Sequence, residues 1–148
     1  MKISVIAIFY NSSAYIKKCI QSILDQQDVF IELIAVDDCS TDDTLKLLQE
    51  YAIIDDRIKI IKHQKNRGIA AARNSGIKAA SGDCFYLIDG DDYLPNNALS
   101  SLAKHFSPEV DWVQGGYEIR NEKNLKIADH IYKYGKYTTH QEIENHFF

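Results

Sequence analysis

The sequence predicts an α/β domain in which a mostly parallel sheet is flanked by helices. Apolar runs rich in β-branched residues, at Ile3–Ile8, Ile31–Val36 and Cys84–Ile88, are typical of strands buried on both faces. Segments with apolar residues spaced three and four apart, typical of amphipathic helices, lie between these runs. The resulting order, βαβαβαβαβ, is the one that builds parallel sheets through helical crossovers.

Composition narrows the class of protein. The 148 residues are 45% hydrophobic and 26% charged, which suits a single globular domain over residues 1–148. A net charge of −4 lacks the excess of basic residues that is typical of nucleic-acid-binding domains. The cysteines, Cys19, Cys39 and Cys84, are too far apart for a metal motif and indicate reduced thiols in the cytoplasm. No apolar stretch approaches the roughly 20 residues of a membrane span. The sequence therefore predicts a cytoplasmic protein, with peripheral contact with the inner face of a membrane as the alternative.

The first half of the chain is predicted to form two strand–helix units. The strand Ile3–Ile8 precedes a helix for which Asn11–Ser13 offer N-caps. The strand Ile31–Val36 leads to a second helix, where Ser40 and Asp43 have the spacing of a capping box. The buried stripes predicted for the two helices are Ile16, Cys19, Ile20, Ile23 and Leu24 in the first, and Leu45, Leu48 and Ala52 in the second.

Two more strands and two more helices follow. A short strand over Arg57–Ile61 precedes a helix that opens at Asn66–Gly68 and ends at Ser81–Gly82, where glycine would supply the C-cap. The strand Cys84–Ile88 comes next, and Pro95 suits the first turn of a further helix.

The pattern beyond the fourth predicted helix is less regular. Asp111–Ile119 is predicted to be a strand with Trp112 and Tyr117 as core or pocket aromatics, and Lys126–Tyr134 to pair back on it as a hairpin. Thr138–Phe148 has the pattern of a helix start. Because it ends without a cap or a polar tail, we expect a chain that is cut on its C-terminal side.

Polar clusters follow three of the predicted strands, at Tyr10-Asn11, Asp37-Asp38 and Asp89-Gly90-Asp91-Asp92. In a sheet of this kind the carboxyl ends of the strands line one crevice, where ligands bind. Taken singly, an acidic pair after a strand is more often a turn or a helix cap. Carboxylates this close together raise one another's pKa, so the last cluster favours a bound cation. Carboxylates without histidine or thiolate suit Mg²⁺ or Mn²⁺, and Mg²⁺ commonly bridges carboxylates to substrate phosphates.

Three motifs, in this order and at these separations, carry a family resemblance. They are Asp37-Asp38-Cys39-Ser40-Thr41-Asp42, Asn66-Arg67-Gly68 through Ala72-Arg73-Asn74-Ser75-Gly76, and Asp89-Gly90-Asp91-Asp92. From residue 3 to about 119, the chain resembles the N-terminal half of a family 2 glycosyltransferase with the Rossmann-like GT-A fold. The resemblance implies an inverting enzyme that transfers a sugar from a nucleotide diphosphate sugar to an acceptor hydroxyl, in the synthesis of cell-envelope polysaccharide or glycoconjugates.

The resemblance also implies which residues bind the nucleotide. Asp38, and with it Asp37, would hydrogen-bond the uracil or the ribose, and Tyr10 would pack near the base. Asn66 and Arg73 would lie beside the nucleotide, although Arg73 is equally suited to pair with the acidic cluster. The donor implied is a UDP-sugar, and the acceptor a saccharide or a lipid-linked molecule.

The metal site implied by the resemblance is the DxD motif. Asp91 would bind Mn²⁺ or Mg²⁺, and Asp89 would reach both the ribose and the metal shell. Asp92 is expected to be structural or to lie behind the ligands.

The chain departs from the family pattern before Tyr10 and at Cys39. Ile8-Phe9 precedes Tyr10 where the family usually has a proline, which changes the base pocket. Cys39 replaces the usual glycine. Because cysteine tolerates positive φ poorly, we expect this turn not to be left-handed and Cys39 to be a buried small side chain.

No catalytic base is assigned, which is the third departure. Inverting transfer needs a carboxylate on the acceptor side, and the family places an aspartate well beyond the DxD motif. The downstream carboxylates carry no motif and are expected to be surface charges. They are Asp111, Glu118, Glu122, Asp129, Glu142 and Glu144. The five histidines lack ligand spacing and are expected on the surface or satisfied by neighbours.

Other classes are weighed against this interpretation. A module that binds a nucleotide or nucleotide sugar without turnover stays open, since no base is visible. Receiver domains place an acidic pair after the first strand, where this chain has Tyr10-Asn11. Haloacid-dehalogenase-like phosphatases need an early nucleophilic aspartate, whereas Asp89 comes late. Both of these fit poorly.

Overall fold

Four parallel strands form the sheet that the sequence predicts. They are β1 (Lys2–Phe9), β2 (Phe30–Asp37), β3 (Ile58–Lys62) and β4 (Cys84–Asp89), arranged in the order β3-β2-β1-β4. The helices are α1 (Ile16–Leu24), α2 (Thr44–Ile54), α3 (Ile69–Ala79) and α4 (Ala98–Ala103). The computed structural model describes residues 1–121 and 123–130. It divides into two units, Met1–Lys104 and His105–Phe148, and all of these strands and helices lie in the first unit. The prediction of a mostly parallel α/β sheet is confirmed, while that of one domain over 1–148 stays a prediction.

Helices cover both faces of the sheet. On one face, Phe9 of β1 and Leu33 of β2 pack in a core cluster with Ile20 of α1, and all three are fully buried. On the other face, Ile6 of β1 packs in a smaller cluster with Ala72 of α3. Successive strands first extend the sheet to one side of β1 and then, with β4, to the other. This reversal creates a crevice at the carboxyl ends of β1 and β4.

A glycine lets α3 lie close against the sheet. A Cβ at Gly76 would collide with Cγ2 of Ile6 and would lie 3.4 Å from Cγ2 of Val36. The close approach brings the start of α3 to the carboxyl ends of β1 and β2.

The predicted helix caps are not formed. α1 begins after Tyr15 and α2 after Asp43, and neither residue makes a side-chain capping bond. The N-caps at Asn11–Ser13 and the capping box of Ser40 with Asp43 were therefore wrong. These residues bind a neighbouring loop instead, because Ser40 Oγ accepts the Asn11 N–H at 3.0 Å.

The end of α3 also differs from the prediction. Ala80 follows α3 in an extended conformation, and Gly82 does not have a positive φ, so the glycine cap was wrong. Gly82 serves close packing: a Cβ there would lie 2.7 Å from the carbonyl oxygen of Lys2. α4 begins at Ala98, three residues beyond Pro95.

Strand β4 is half-buried rather than buried on both faces. Within the described part of the chain it pairs with β1 along one edge and has no strand on the other. Phe85 is 49% exposed and Leu87 is 37% exposed. An apolar run therefore indicated the strand correctly but overstated how much of it is covered.

The second unit contains an antiparallel hairpin, β5 (Tyr117–Arg120) and β6 (Lys126–His130). The predicted strand Asp111–Ile119 is wrong in its first six residues, and Trp112 and Tyr117 are more than half exposed rather than in a core. The end of the predicted hairpin, at residues 131–134, and the predicted helix at 138–148 lie outside the described residues. No helix among the described residues has the length and apolar character to cross a membrane.

A buried carboxylate ties the strands together at the edge opposite the crevice. Glu32 of β2 accepts the Ser4 hydroxyl at 2.6 Å, the Lys59 ammonium at 2.7 Å and the Ser81 N–H at 2.7 Å. Lys2 Nζ lies 3.1 Å from it. Burial by itself would raise the pKa of Glu32, but these donors outweigh burial and hold the pKa well below its ordinary value.

We expect Glu32→Gln to lower the free energy of unfolding by about 2 kcal/mol at pH 7, because charge-assisted bonds are lost. A carboxylate whose pKa is lowered by folding stabilises the protein above its unfolded pKa, ordinarily 4.5, and loses that contribution as the pH falls. The difference between wild type and variant should therefore shrink progressively below pH 4.5, as urea denaturation at several pH values would show. Glu50→Gln, on the exposed side of α2, should behave as wild type throughout. An equal loss at every pH would contradict this account.

Candidate active site

The three predicted polar clusters meet at one edge of the sheet. Phe9 is paired in register with Asp37, and Ile8 with Asp89, so the ends of β1, β2 and β4 are adjacent. A cleft of about 360 Å³ opens there. It is lined by Ile8, Tyr10, Ser12, Asp38, Asn66, Gly68, Ile69, Asp89, Gly90 and Asp91. The lining includes every predicted site residue except Asp37 and Arg73.

Asp38 forms a buried part of the cleft wall, with an exposed fraction of 2%. Its Oδ1 lies 2.6 Å from Nδ1 of His63 and accepts the Arg67 N–H at 2.9 Å, and its Oδ2 accepts the Gly68 N–H at 2.8 Å. Burial by itself would raise the pKa of this carboxyl, but the three donors outweigh burial and lower the pKa. Asp38 is therefore an ionised group held by the end of β3 and the start of α3.

His63 is a part of the site that the sequence did not single out. It is 6% exposed, and its Nε2 lies 2.9 Å from Oγ of Ser75 on α3. The expectation that histidines are satisfied by neighbours holds for it, but the identity of the neighbour, Asp38, was missed. Its place directly after a strand end, where polar residues line such crevices, was the available signal.

Asp37 lies on the other side of β2. It is fully buried, its Oδ1 accepts the Ser40 N–H at 3.3 Å, and its Oδ2 has no hydrogen-bond partner within the described residues. Because adjacent residues of a strand point to opposite faces, Asp37 points toward the face covered by α1 and α2. Its position does not support the predicted contact with a nucleotide.

The loop after Asp38 turns through a left-handed residue. Cys39 has φ +65°, so the prediction that this turn is not left-handed was wrong, and Cys39 is half-buried rather than buried. The Asp38 N–H donates to the carbonyl oxygen of Phe9 at 2.9 Å, and the Ser40 N–H, two residues later, donates to Oδ1 of Asp37. The chain must therefore reverse within one residue, which costs about 1–2 kcal/mol for a residue with a Cβ.

Two uncharged polar residues complete the open side of the cleft. Tyr10 is 49% exposed. Asn66 is exposed, and its Oδ1 accepts the Gly68 N–H at 3.1 Å. Both side chains have surface available to a ligand in the cleft.

The acidic cluster is anchored by an ion pair. Nη2 of Arg73 lies 2.9 Å and 3.2 Å from the two oxygens of Asp89, so the alternative that Arg73 pairs with the cluster is what the structure contains. Asp91 is exposed on the cleft. Burial, with the charges of Asp91 and Asp89, raises the pKa of Asp92. The predicted effect of neighbouring carboxylates is therefore present at Asp92.

The donor set fits a divalent cation that is shared with a ligand. Among the described residues, no group of three histidine, cysteine, aspartate or glutamate side chains could hold a metal by itself. Mg²⁺ and similar cations, however, commonly bind one or two carboxylates and complete their shell with water and substrate phosphate. Asp91, with Asp89 beside it, offers such an incomplete set.

The negative field of the cluster also reaches the core. Cys19 of α1 is buried, and its Sγ lies 3.9 Å from the carbonyl oxygen of Asp89. Burial raises the pKa of this thiol to about 12, and the charges of Asp92, Asp91 and Asp89 add to the effect. Cys19 therefore serves as a small apolar side chain and not as a nucleophile.

The chain is similar in sequence to known proteins. The chain matches the model of the family described as Glycosyl transferase family 2 over residues 4–147. It is 35% identical over 131 residues to the glycosyltransferase GlyA of Streptococcus pneumoniae serotype 4, covering 88% of this chain and 19% of that protein. It is 37% identical over 101 residues to a chondroitin synthase of Escherichia coli, covering 68% and 15%.

Solved structures agree on the fold. Residues 1–349 of Staphylococcus aureus TarS, in complex with UDP-GlcNAc, have a TM-score of 0.65 at 34% identity, covering 70% of this chain and 30% of that chain. The mannosyltransferase PcManGT of Pyrobaculum calidifontis, in complex with GDP-Man and Mn²⁺, has a TM-score of 0.69 at 23% identity, covering 82% and 36%, a likeness of fold alone. The GT-A prediction is confirmed. The chain spans less than two fifths of the length of each of these relatives.

We expect Gly90→Ala to lower the free energy of unfolding by about 1–3 kcal/mol, because an added Cβ overpacks this position. The Gly90 N–H bonds the carbonyl oxygen of Ile8 at 2.8 Å, and a Cβ would lie 2.8 Å from that oxygen and collide with the ring of Phe9. Urea denaturation measures the loss, and Asn96→Ala in the exposed loop after β4 is the control. Wild-type stability in Gly90→Ala would show that β4 can move away from β1 without cost.

Proposed function

The chain belongs to glycosyl transferase family 2, and on that premise we propose that it forms the donor-binding part of an inverting glycosyltransferase. It would transfer a sugar from a nucleotide diphosphate sugar to the hydroxyl of an acceptor. One observation carries the proposal: a single cleft at the carboxyl ends of the strands has the buried carboxylate of Asp38 in its wall together with the carboxylates of Asp89 and Asp91. Such a cleft suits a ligand with a base and sugar at one end and a diphosphate at the other.

The nucleoside is proposed to bind at the Asp38 end. A carboxylate accepts hydrogen bonds, so it suits the N–H edge of a base or the hydroxyls of a ribose. Tyr10 would stack against the base, and Asn66 would bond its polar edge. Asp37, on the face of the sheet covered by α1 and α2, would stabilise the loop after β2 and would not contact the ligand. TarS, at 34% identity, is known in complex with UDP-GlcNAc, which favours a UDP-sugar as the donor.

The diphosphate is proposed to bind at the Asp91 end through Mn²⁺ or Mg²⁺. The cation would be held by Asp91, with Asp89 in its shell or on the ribose, and would neutralise charge on the departing nucleoside diphosphate. Arg73 would keep Asp89 in place through their ion pair and add positive charge beside the phosphates.

The acceptor side is proposed in outline only. A saccharide or lipid-linked acceptor is consistent with the family and with the chondroitin synthase among the relatives. The chain would then act in the synthesis of cell-envelope polysaccharide. Inversion needs a carboxylate facing the acceptor hydroxyl, opposite the leaving group. We assign no residue to that task. Of the downstream carboxylates, Glu122, Glu142 and Glu144 lie outside the described residues.

Calorimetric titration of UDP and GDP, with and without Mn²⁺, tests the proposal. UDP should bind at least about tenfold more tightly with Mn²⁺, which corresponds to about 1.4 kcal/mol. Asp91→Asn should abolish this gain because it removes the carboxylate charge that a hard cation requires. Asp56→Asn, an exposed carboxylate before β3, should retain it.

Two outcomes would contradict different parts of the proposal. If neither nucleoside diphosphate binds with Mn²⁺, this chain is not a donor-binding part. If UDP binds equally with and without Mn²⁺, the metal site at Asp91 is wrong. Hydrolysis of a UDP-sugar would favour an enzyme, whereas binding without hydrolysis or transfer would favour a nucleotide-sugar binding module.

A further inference from the structure

A buried histidine contacts the carboxylate on which the nucleoside end of the cleft depends. His63 is 6% exposed and does not line the cleft. Its Nδ1 lies 2.6 Å from Oδ1 of Asp38, and its Nε2 lies 2.9 Å from Oγ of Ser75. Because an ionised carboxylate can only accept a hydrogen bond, Nδ1 carries the hydrogen in this contact. The ring is therefore held at both nitrogens between the end of β3 and the side of α3.

The orientation of the Asp38 carboxylate matters for the shape of the cleft. Its two oxygens accept the N–H groups of Arg67 and Gly68, in the loop that leads into α3. Gly68 has φ +79° and lines the cleft beside Asn66. A rotated carboxylate would release these amides, and the loop that forms one wall of the cleft would move with them.

His63 supplies the side-chain donor that keeps this carboxylate in one orientation. The two amides contact Asp38 from the loop before α3, and His63 contacts it from the position after β3, so the carboxylate is fixed from two directions. The His63 N–H bonds the carbonyl oxygen of Asp37 at 2.9 Å, which ties the histidine backbone to the end of β2. Ser75 Oγ lies 3.0 Å from the carbonyl oxygen of Ala71 and 2.9 Å from Nε2 of His63, and its single hydrogen is donated to one of them at a time.

We propose that His63 is a positioning residue for the nucleotide site: its Nδ1–H holds Asp38 so that Asp38 and the Asn66–Gly68 loop together present a fixed surface to the nucleoside. The proposal rests on the proposed function for the identity of the ligand. Ser75 orients the imidazole ring from the other side. His63 itself does not touch the ligand, so its effect on binding passes through Asp38.

Two substitutions separate positioning from simple packing. Asparagine places its side-chain N–H₂ near the position of histidine Nδ1, whereas glutamine places its N–H₂ near the position of Nε2. His63→Asn therefore keeps a donor for Asp38 and loses the Ser75 contact, and His63→Gln does the reverse. Both remove a ring from the same buried place, so both should lower thermal stability. Only His63→Gln should disturb the cleft.

The measurements are calorimetric titration with UDP and Mn²⁺, and amide ¹H–¹⁵N chemical shifts of Arg67 and Gly68 without ligand. We expect His63→Gln to weaken UDP binding by about tenfold or more and to move both amide shifts, as loss of a charge-assisted bond should. His63→Asn should bind within about threefold of wild type, since the bond to Asp38 is kept. Equal affinities in the two variants, or the same Arg67 and Gly68 amide shifts in both, would overturn the proposal, because both variants lack the imidazole ring current.

A milder substitution guards against variants that do not fold. Ser75→Ala removes the two contacts of the half-buried Ser75 hydroxyl, to His63 and to the Ala71 carbonyl oxygen, while placing a good helix former in α3. It should weaken UDP binding by about threefold, because the ring is held on one side only. Wild-type affinity in Ser75→Ala would overturn the part assigned to Ser75.

The amide shifts also separate this inference from the proposed function. If wild type binds no nucleoside diphosphate, the proposed function fails. The shifts of Arg67 and Gly68 in ligand-free His63→Gln and His63→Asn still decide whether His63 positions Asp38.

Discussion

A buried carboxylate is costly unless the chain itself surrounds it with donors, and the cleft wall is built on such a group. Asp38 satisfies this requirement with donors from the residue after β3 and from the two amides before α3. The loop into α3 must therefore close over the carboxylate, and Gly76 lets the helix come near enough to the sheet for this to happen. One negative charge thus links the end of β2 to the residue after β3 and to the start of α3.

Most of the fold could be predicted because strands and helices impose different periods on apolar residues. The four strands lie within one or two residues of where the apolar runs place them. The details that failed depend on tertiary contacts. A polar residue after a strand can cap a helix or bind a neighbouring loop, and Ser40 does the second. Likewise, the composition of β4 does not show that it is an edge of the sheet.

The candidate site was predicted in part for a topological reason, since carboxyl ends of parallel strands meet whatever their separation in sequence. The difference between Asp37 and Asp38 was in principle available, because neighbouring residues of a strand face opposite sides. For His63 the sequence offered only its place directly after a strand end, because a single sequence does not say which of five histidines a buried carboxylate contacts. The left-handed Cys39 was missed because local preference was weighed without the hydrogen bonds on either side of it.

The bonds between Asp38 and the Asn66–Gly68 loop are all made by groups of the chain itself, and this bears on the entropy of binding. A loop that is already ordered does not lose conformational freedom when a nucleotide enters, so that cost is met during folding instead. Asp91, at the diphosphate end, is exposed instead. We expect the nucleoside end of the cleft to act as a rigid template, and adjustment to a ligand to be concentrated at the diphosphate end.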